Sequence, residues 1–419
     1  MQKKKWTQKN KAVCSAALLL AAAMLSSCGG QGTETTAASK ASTVATSPAA
    51  AETSAGAAGK IAADQNAGNL DSAAADKNAE TAGSANPETG ADSAGKTVEA
   101  INTAADEFSS KSTELFAMDT VMTLTAYGPN AQAGLDAAAA EIQRLDQLFS
   151  ISSESGDIFR VNRDGSGTLS ADSASLLQSA LNFAAETGGL FEPTIEPVMQ
   201  AWGFTTKNYR VPSDEELKEL LTHVDYRKVS LSDAKVSLPQ GMQLDLGGIA
   251  KGFTSARVMD VFRKAGVSSG IISLGGNVQA LGTKPDKSPW RVGIQDPNNL
   301  NDTFAVVEVA DEAVITSGAY QRFFEQDGKT YHHIIDPRTG RPADSGLTSV
   351  SIISKDGTLA DALSTSLFVM GADAAAEFWK AHRDEFDTIM MDKDGTVYVT
   401  AGLANRCTVT GGSNVVVLQ

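Results

Sequence analysis

"QLDLGGIAKGFTSARVMDVFRKAG", residues 243–266, reads as a strand, a Gly-Gly turn and then a helix over 249–265. Gly247 and Gly248 let the backbone approach a ligand closely, and the helix that follows aims its free N–H groups at the same space. Lys251, early in that helix, adds a positive charge. Asp245 closes the strand, where a carboxylate can accept hydrogen bonds from a ribose or a purine. "ISLGGNVQALG", residues 272–282, repeats the strand-Leu-Gly-Gly pattern. Taken singly, such turns are ordinary bends more often than ligand cradles, and neither matches a Walker loop or a dinucleotide GxGxxG.

Around these two turns the chain alternates short strands with clustered helices. Residues 112–128, "STELFAMDTVMTLTAYG", alternate as one strand ending at a Gly128-Pro129 turn. Residues 130–150 carry Leu135, Ala138, Ile142 and Leu145 at helical spacing, and residues 173–189 form a second helix closed by Gly188-Gly189. "FEPTIEPVMQAWGF", with two prolines, reads as extended or looped. A short amphipathic helix follows the Ser213 cap. Further strands are expected at "GMQLDL", "GIISL", "WRVGIQ", "FAVVEVA", "VITSG", "HHIID", "SVSIIS", "TIMMD" and "TVYVT", with helices over 358–370 and 372–385. This mixture predicts an α+β fold with mixed, mostly antiparallel sheets and clustered helices; the strand order is not legible.

The N-terminal quarter has a different character. Residues 1–27 combine five early lysines, a short apolar run and "LSSC", which resembles a bacterial lipoprotein signal cut before Cys28. That resemblance implies a lipidated Cys28, export, and anchoring to the extracytoplasmic face of a bacterial cell membrane. An ordinary signal peptide with an incidental cysteine is the alternative. Residues 28–110 are almost free of aromatics and read as a flexible Ala/Ser/Thr/Gly tether with a span of roughly 50 Å. The catalytic domain is expected over 111–419. Of three cysteines only Cys407 would remain free, so no disulfide framework is available within one chain. A formal net charge of −15 argues against nucleic acid as a partner.

Two more stretches carry chemistry. In "GTLADALSTSLFVMG", residues 357–371, Asp361 and Thr365 stand one helical turn apart on the same face. A carboxylate and a hydroxyl there suit a hard cation such as Mg²⁺. Alternatively, Asp361 serves only the positive start of its helix. "YHHIIDPRTGRP", residues 331–342, holds two of the chain's four histidines, His332 and His333, beside a rigid turn with two arginines. His223 and His382 lie in charged helical surroundings and read as surface residues.

"MDT" at 118–120, "EPTIEPVMQAWGF", "LDLGGIAKGF", "SLGGN", "TSGAYQRFF", "YHHIIDPRTGRP" and "ADALSTSLFVMG" occur in an order that resembles the ApbE-type flavin transferases, the FAD:protein FMN transferases. The match spans about residues 112–419 and implies the fold of that family. It also implies an enzyme that uses Mg²⁺ and splits FAD. The FMN half would be joined to a threonine or serine of an extracytoplasmic acceptor protein, such as a membrane redox subunit, with release of AMP. Carried over position by position, the resemblance implies FAD contacts at Met118, Leu190, Phe191, Glu192, Asp245, Lys251 and Ile335. It implies a metal site at Gly248, Asp361, Ser364 and Thr365, with Asp361 also catalytic. His333, directly before Ile-Ile-Asp-Pro, becomes the proton acceptor, and His332 faces the other way because strand side chains alternate. Ser152 stands where relatives often carry an aromatic. An FAD-binding lipoprotein without turnover, or an FAD pyrophosphatase, is the alternative on the same scaffold.

Overall fold

Residues 108–419 are described by a computed structural model, and the expected signal, Cys28 and all but the last residues of the expected tether lie outside them. Strands β1 (Ser110–Ala117) and β2 (Thr120–Tyr127) form an antiparallel hairpin where the sequence read as a single strand. The connection is Met118–Asp119, both with positive φ (49° and 60°). A two-residue hairpin turn matching the strand twist needs that geometry, but glycine or asparagine normally supplies it. The unusual residues hid the turn from the sequence. The strain, ~1–3 kcal/mol per such residue, is held in part by the Met118 N–H donating to Asp146 Oδ1 at 2.9 Å.

Helix α1 (Ala131–Phe149) follows with the expected stripe buried, then α2 (Asp157–Asp164), β3 (Ser166–Thr168) and α3 (Ala171–Glu186). The proline-rich stretch is not loop throughout: it contains α4 (Glu196–Trp202). Pro197 sits in its first turn, where a missing N–H costs no helical bond. Helix α5 (Asp214–Leu220) starts at Ser213, whose hydroxyl accepts from the Glu216 N–H at 3.2 Å. Strands β4 (Ser230–Ser232) and β5 (Lys235–Ser237) join β3 in a small sheet.

Residues 241–246 correct a second expectation. They form no strand, only a single parallel bridge between Gln243 and Ile195. Helix α6 (Gly247–Lys264) takes Gly247 and Gly248 in as its first residues, so this Gly-Gly is not a turn. The other Gly-Gly is one: Gly275 and Gly276 (φ 62° and 94°) connect β6 (Gly270–Leu274) to β7 (Asn277–Leu281).

Beyond them come β8 (Trp290–Asp296), β9 (Asn299–Val309), β10 (Ala313–Gly318), β11 (Phe323–Gln326) and β12 (Lys329–His332). The expected strand "HHIID" breaks after His332, and β13 (Ile335–Asp336) pairs instead with β14 (Arg341–Pro342). Then follow β15 (Leu347–Ser354), α7 (Gly357–Met370), α8 (Ala372–Ala381), β16 (Asp387–Asp392), β17 (Val397–Thr400), β18 (Cys407–Val409) and β19 (Val415–Leu418). Helix α8 stops at Ala381 rather than 385.

One nine-stranded sheet, in the order β1-β2-β6-β7-β10-β15-β16-β17-β19, organises the described chain. All its neighbours are antiparallel except β17 and β19. Alternation along the strands divides two cores. Ala313, Ile315, Val350, Ile352 and Met390 pack against Leu363 and Leu367 of α7. Val314, Ile353, Ile389 and Met391 pack against Val292, Phe304 and Val307 of the three-stranded sheet β18-β9-β8. The α+β, mostly antiparallel expectation holds.

Helices α6 and α7 cross where both are glycine. A Cβ on Gly252 would lie 2.1 Å from Gly357 O and 2.5 Å from Asp361 Cβ, and one on Gly357 would lie 2.8 Å from Gly252 O. Backbone occupies that space, so relief requires the helices to separate. Gly252→Ala should therefore lower stability by about 1–3 kcal/mol or more. A urea midpoint equal to that of the parent would remove this crossing from the account.

Candidate functional site

The helix crossing sets a buried carboxylate. Asp361, on the second turn of α7 and 5% exposed, accepts from Gly252 N at 2.8 Å and from Asn277 Nδ2 at 2.9 Å. It does not serve the helix start. Asp356 does, accepting from Thr358 N (2.8 Å) and Leu359 N (3.3 Å). Burial raises the Asp361 carboxyl above its ordinary value, opposed by the Lys251 cation and by its two donors.

One turn along, Ser364 donates to Asp361 O at 2.9 Å, and Ser317 of β10 lies 2.8 Å from Ser364 Oγ and 3.2 Å from Thr365 Oγ1. Gly248 lies beside them: a Cβ there would stand 3.3 Å from the Phe191 ring and 3.9 Å from Thr365 Oγ1. The donors gathered here are one carboxylate and neutral oxygens. Among the described residues there is no cluster of three acidic, His or Cys ligands. That composition fits Mg²⁺, which takes one or two carboxylates and completes its shell with water and substrate phosphate. It does not suit a closed structural zinc site.

Lys251 is the hub of the charged groups. Its cation acts on Asp361, on Asp245 and on His333, which come from three separate parts of the chain. Asp245 Oδ1 accepts from Gly247 N at 2.7 Å, and burial raises its carboxyl, opposed by that N–H, Arg322 and Lys251. Arg322, just ahead of β11, faces both Asp245 and His333 and donates to Phe204 O.

His333 and His332 have different partners, although the strand ends at His332 and alternation does not set their directions. His333 donates from Nδ1 to Arg322 O at 3.1 Å and packs against Phe204. Its Nε2 makes no hydrogen bond among the described residues. Burial, followed by the Arg322 cation, pushes it down to about 3 from the ordinary 6.5, so it is neutral at neutral pH. His332 instead places Nε2 3.1 Å from Ala343 O and its ring edge-on to Phe368. An aromatic cluster of Trp202, Phe204, Tyr209, Phe324 and Tyr331 pins the β11–β12 hairpin that leads into His333.

The remaining candidates are placed less uniformly. Met118 sits on the strained turn with Sδ 3.8 Å from Thr254 Oγ1, one turn past Lys251 on α6. Phe191 is buried against Gly248, and half-buried Leu190 packs on the α7 core. The Glu192 carboxylate is engaged internally by Thr194 and by Tyr226 N at 3.1 Å. Ile335 buries its side chain with Trp202 and Phe204. Ser152 lies in a serine turn, its N–H on Ser150 Oγ at 3.2 Å. His382 is not a plain surface residue, for it stacks on Phe378 at 4.2 Å and faces Glu186 at 3.3 Å. The sequence reading assigned no role to Asn277, Arg322 or Glu196. All three lie inside the motifs that carry the family resemblance, but nothing local in the sequence marks what they meet.

The ApbE family model matches residues 118–390. A FAD:protein FMN transferase of Treponema pallidum is 37% identical over 305 residues, covering 65% of this chain and 83% of the relative. One from Klebsiella pneumoniae is 31% identical over 269 residues, covering 62% and 82%. Among solved structures, the ApbE protein of Thermotoga maritima matches with TM-score 0.67 and 32% identity over 70% of this chain and 98% of that one. The flavin transferase ApbE of Vibrio cholerae, at 24% identity, shares the fold with TM-score 0.64 over 71% and 100%.

The His333 environment has a direct consequence. In the ligand-free protein its imidazole signals, identified by their loss in His333→Ala, should not titrate between pH 5 and 8. A midpoint near the ordinary 6.5 would contradict the burial and cationic surroundings described.

Proposed function

The chain belongs to the ApbE family and is a transferase, and from that premise we propose that it transfers FMN from FAD to a threonine or serine hydroxyl of an acceptor protein, releasing AMP. The observation that carries this reading is the convergence on Lys251 of Asp245, His333 and Asp361, an arrangement that offers anion, proton acceptor and metal ligand to one substrate. Asp361, Ser364, Thr365 and the Gly248 carbonyl would hold Mg²⁺. These residues would place a metal ion where it would supply positive charge to the pyrophosphate.

The chain's own residues supply the rest. Lys251 and Arg322 bring positive charge to the pyrophosphate. Asp245 accepts a hydrogen bond from the nucleotide, and Met118, Leu190, Phe191, Glu192 and Ile335 complete its walls. The acceptor hydroxyl attacks the phosphorus of the FMN half. A new O–P bond forms, the P–O–P bond to AMP breaks, and the hydroxyl proton passes to His333 Nε2. The Nδ1–H bond to Arg322 O fixes the tautomer that leaves Nε2 free. In the empty site His333 is a weak base. A bound pyrophosphate offsets the two cations that hold it down, raising its basicity when substrate is present.

The same reading places the enzyme on the extracytoplasmic face of a bacterial membrane, anchored by lipid on Cys28 and tethered by residues 28–110, where a membrane redox subunit is a fitting acceptor. Among the described residues no helix is long and apolar enough to cross a membrane.

The test mixes protein, FAD, Mg²⁺ and a candidate acceptor domain, and follows AMP and covalent flavin on the acceptor. AMP without a flavinylated acceptor would favour the pyrophosphatase alternative. Absence of both in the presence of bound FAD would favour a binding lipoprotein. His333→Ala should slow transfer about 10²–10⁴-fold with FAD affinity within a few-fold, and His332→Ala should do much less. A reversed order would sink the role given to His333.

Metal dependence separates the two ligands on α7. Asp361→Ala should raise the Mg²⁺ concentration for half-maximal AMP release more than Thr365→Ala, because it removes a full charge opposite a divalent cation. An unchanged Mg²⁺ requirement in Asp361→Ala would falsify the metal assignment.

A further inference from the structure

Glu196 is a buried acid that the mechanism above does not use. It begins α4 and is 1% exposed. Its Oε1 accepts from Gln200 Nε2 at 2.9 Å, and the same amide reaches Gln243 Oε1 at 3.1 Å. Its Oε2 is buried without a partner among the described residues, as is Thr205 Oγ1 close by. The parallel bridge Ile195–Gln243 and the bond from Asp245 N to Pro193 O (2.8 Å) lock this segment beside the one that carries Asp245. The two segments are thus fixed beside each other, near enough for the Asp245 charge to act on Glu196.

We propose that Glu196 is a positioning residue for the flavin dinucleotide: it holds a proton at neutral pH, so that Asp245 alone carries the negative charge that accepts an N–H or O–H of FAD, and loss of that proton in alkaline solution weakens FAD binding. This rests on the FAD reading above. Adjacent like charges cannot both be ionised cheaply in a buried setting, so one carboxyl takes a proton. The surroundings decide which. Asp245 has the Gly247 N–H and the Arg322 and Lys251 cations to stabilise its anion. Glu196 has only amide and hydroxyl dipoles, and the charge acting on it is that of Asp245. Burial, reinforced by Asp245, pushes the Glu196 carboxyl up to about 8. Glu192, in the same segment, turns its carboxylate to Thr194 and Tyr226 instead. An ionised Glu196 would repel Asp245 from its place and compete with it for the two cations.

FAD affinity is measured by titration from pH 6 to 9 for the wild type, Glu196→Gln and Glu196→Ala. The wild type should bind evenly up to neutral pH and then lose affinity as pH passes about 8, at most about tenfold per pH unit for one proton. Glu196→Gln, a permanently neutral isostere, should match the wild-type neutral-pH affinity and stay flat to pH 9. Glu196→Ala should also be flat, because no proton remains to be lost. Persistence of the alkaline loss in Glu196→Gln assigns it to another group and overturns the proposal, as does a flat wild-type profile. Failure of the wild type to bind FAD at pH 6–7 would instead defeat the FAD reading. Should the variants not fold, the ligand-free wild type labelled with ¹³C at its glutamate carboxyls decides: a resonance titrating near pH 8 supports the proposal, and none titrating above pH 7 overturns it.

Discussion

The carboxylate of Asp361, held between Gly252 N and Asn277 Nδ2, is the constraint on which the site depends. A buried charge must be paired or hydrogen-bonded, and here one donor comes from the α6 backbone 109 residues away in the chain. That backbone is reachable only because Gly252 and Gly357 remove the side chains between the helices. The contact therefore fixes α6 against α7 at the level of Lys251 and Thr365. Anything that widens the crossing displaces Lys251 and the Asp361 and Thr365 side chains together. Asn277, on β7 next to the Gly275–Gly276 turn, ties the same carboxylate to the central sheet.

Much of the architecture was legible because alternation and helical spacing report which face of an element is buried. The stripe Leu135, Ala138, Ile142, Leu145 forms α1 as read, and the β15 run splits its residues between two cores. The failures were local conflicts with usual residue preferences. Met118 and Asp119 make a left-handed turn that other residues normally make, so the hairpin read as one strand. Pro197 suggested a loop, although proline is tolerated in the first turn of a helix. Gly247 and Gly248 looked like a turn, yet Leu246 and Ile249, both buried, draw that segment into α6. Strand order was illegible because neighbours such as β2 and β6 or β7 and β10 are set by tertiary contacts.

The site divides in the same way. Asp361, Thr365, Lys251 and His333 stood in motifs dense enough to be singled out. Arg322 and Asn277 lay inside quoted motifs, but their partners come from other segments: Phe204 and His333 for one, Asp361 for the other. No periodicity reports such meetings. Glu196 was hidden for a further reason, since an acid at a helix start usually serves the helix dipole. Only its burial and the nearness of Asp245 distinguish it.

The electrostatics of the site run against those of the whole chain. A chain of net charge −15 carries a long-range field that repels a dinucleotide pyrophosphate and an acidic acceptor alike. A field of that kind is screened within about 10 Å at ordinary ionic strength, so it neither draws the substrate in nor holds it. Affinity for an anionic substrate must then come from groups in contact with it, and the cations available are Lys251 and Arg322, both held among partly buried acids. In the empty site Lys251 acts electrostatically on both Asp245 and Asp361, and Arg322 acts on Asp245. Burial, followed by the Arg322 and Lys251 cations, keeps His333 neutral there, although histidine is the residue most able to titrate near pH 7. Charge is balanced within the site first, and a phosphate entering it takes over a role that the protein's own carboxylates already fill.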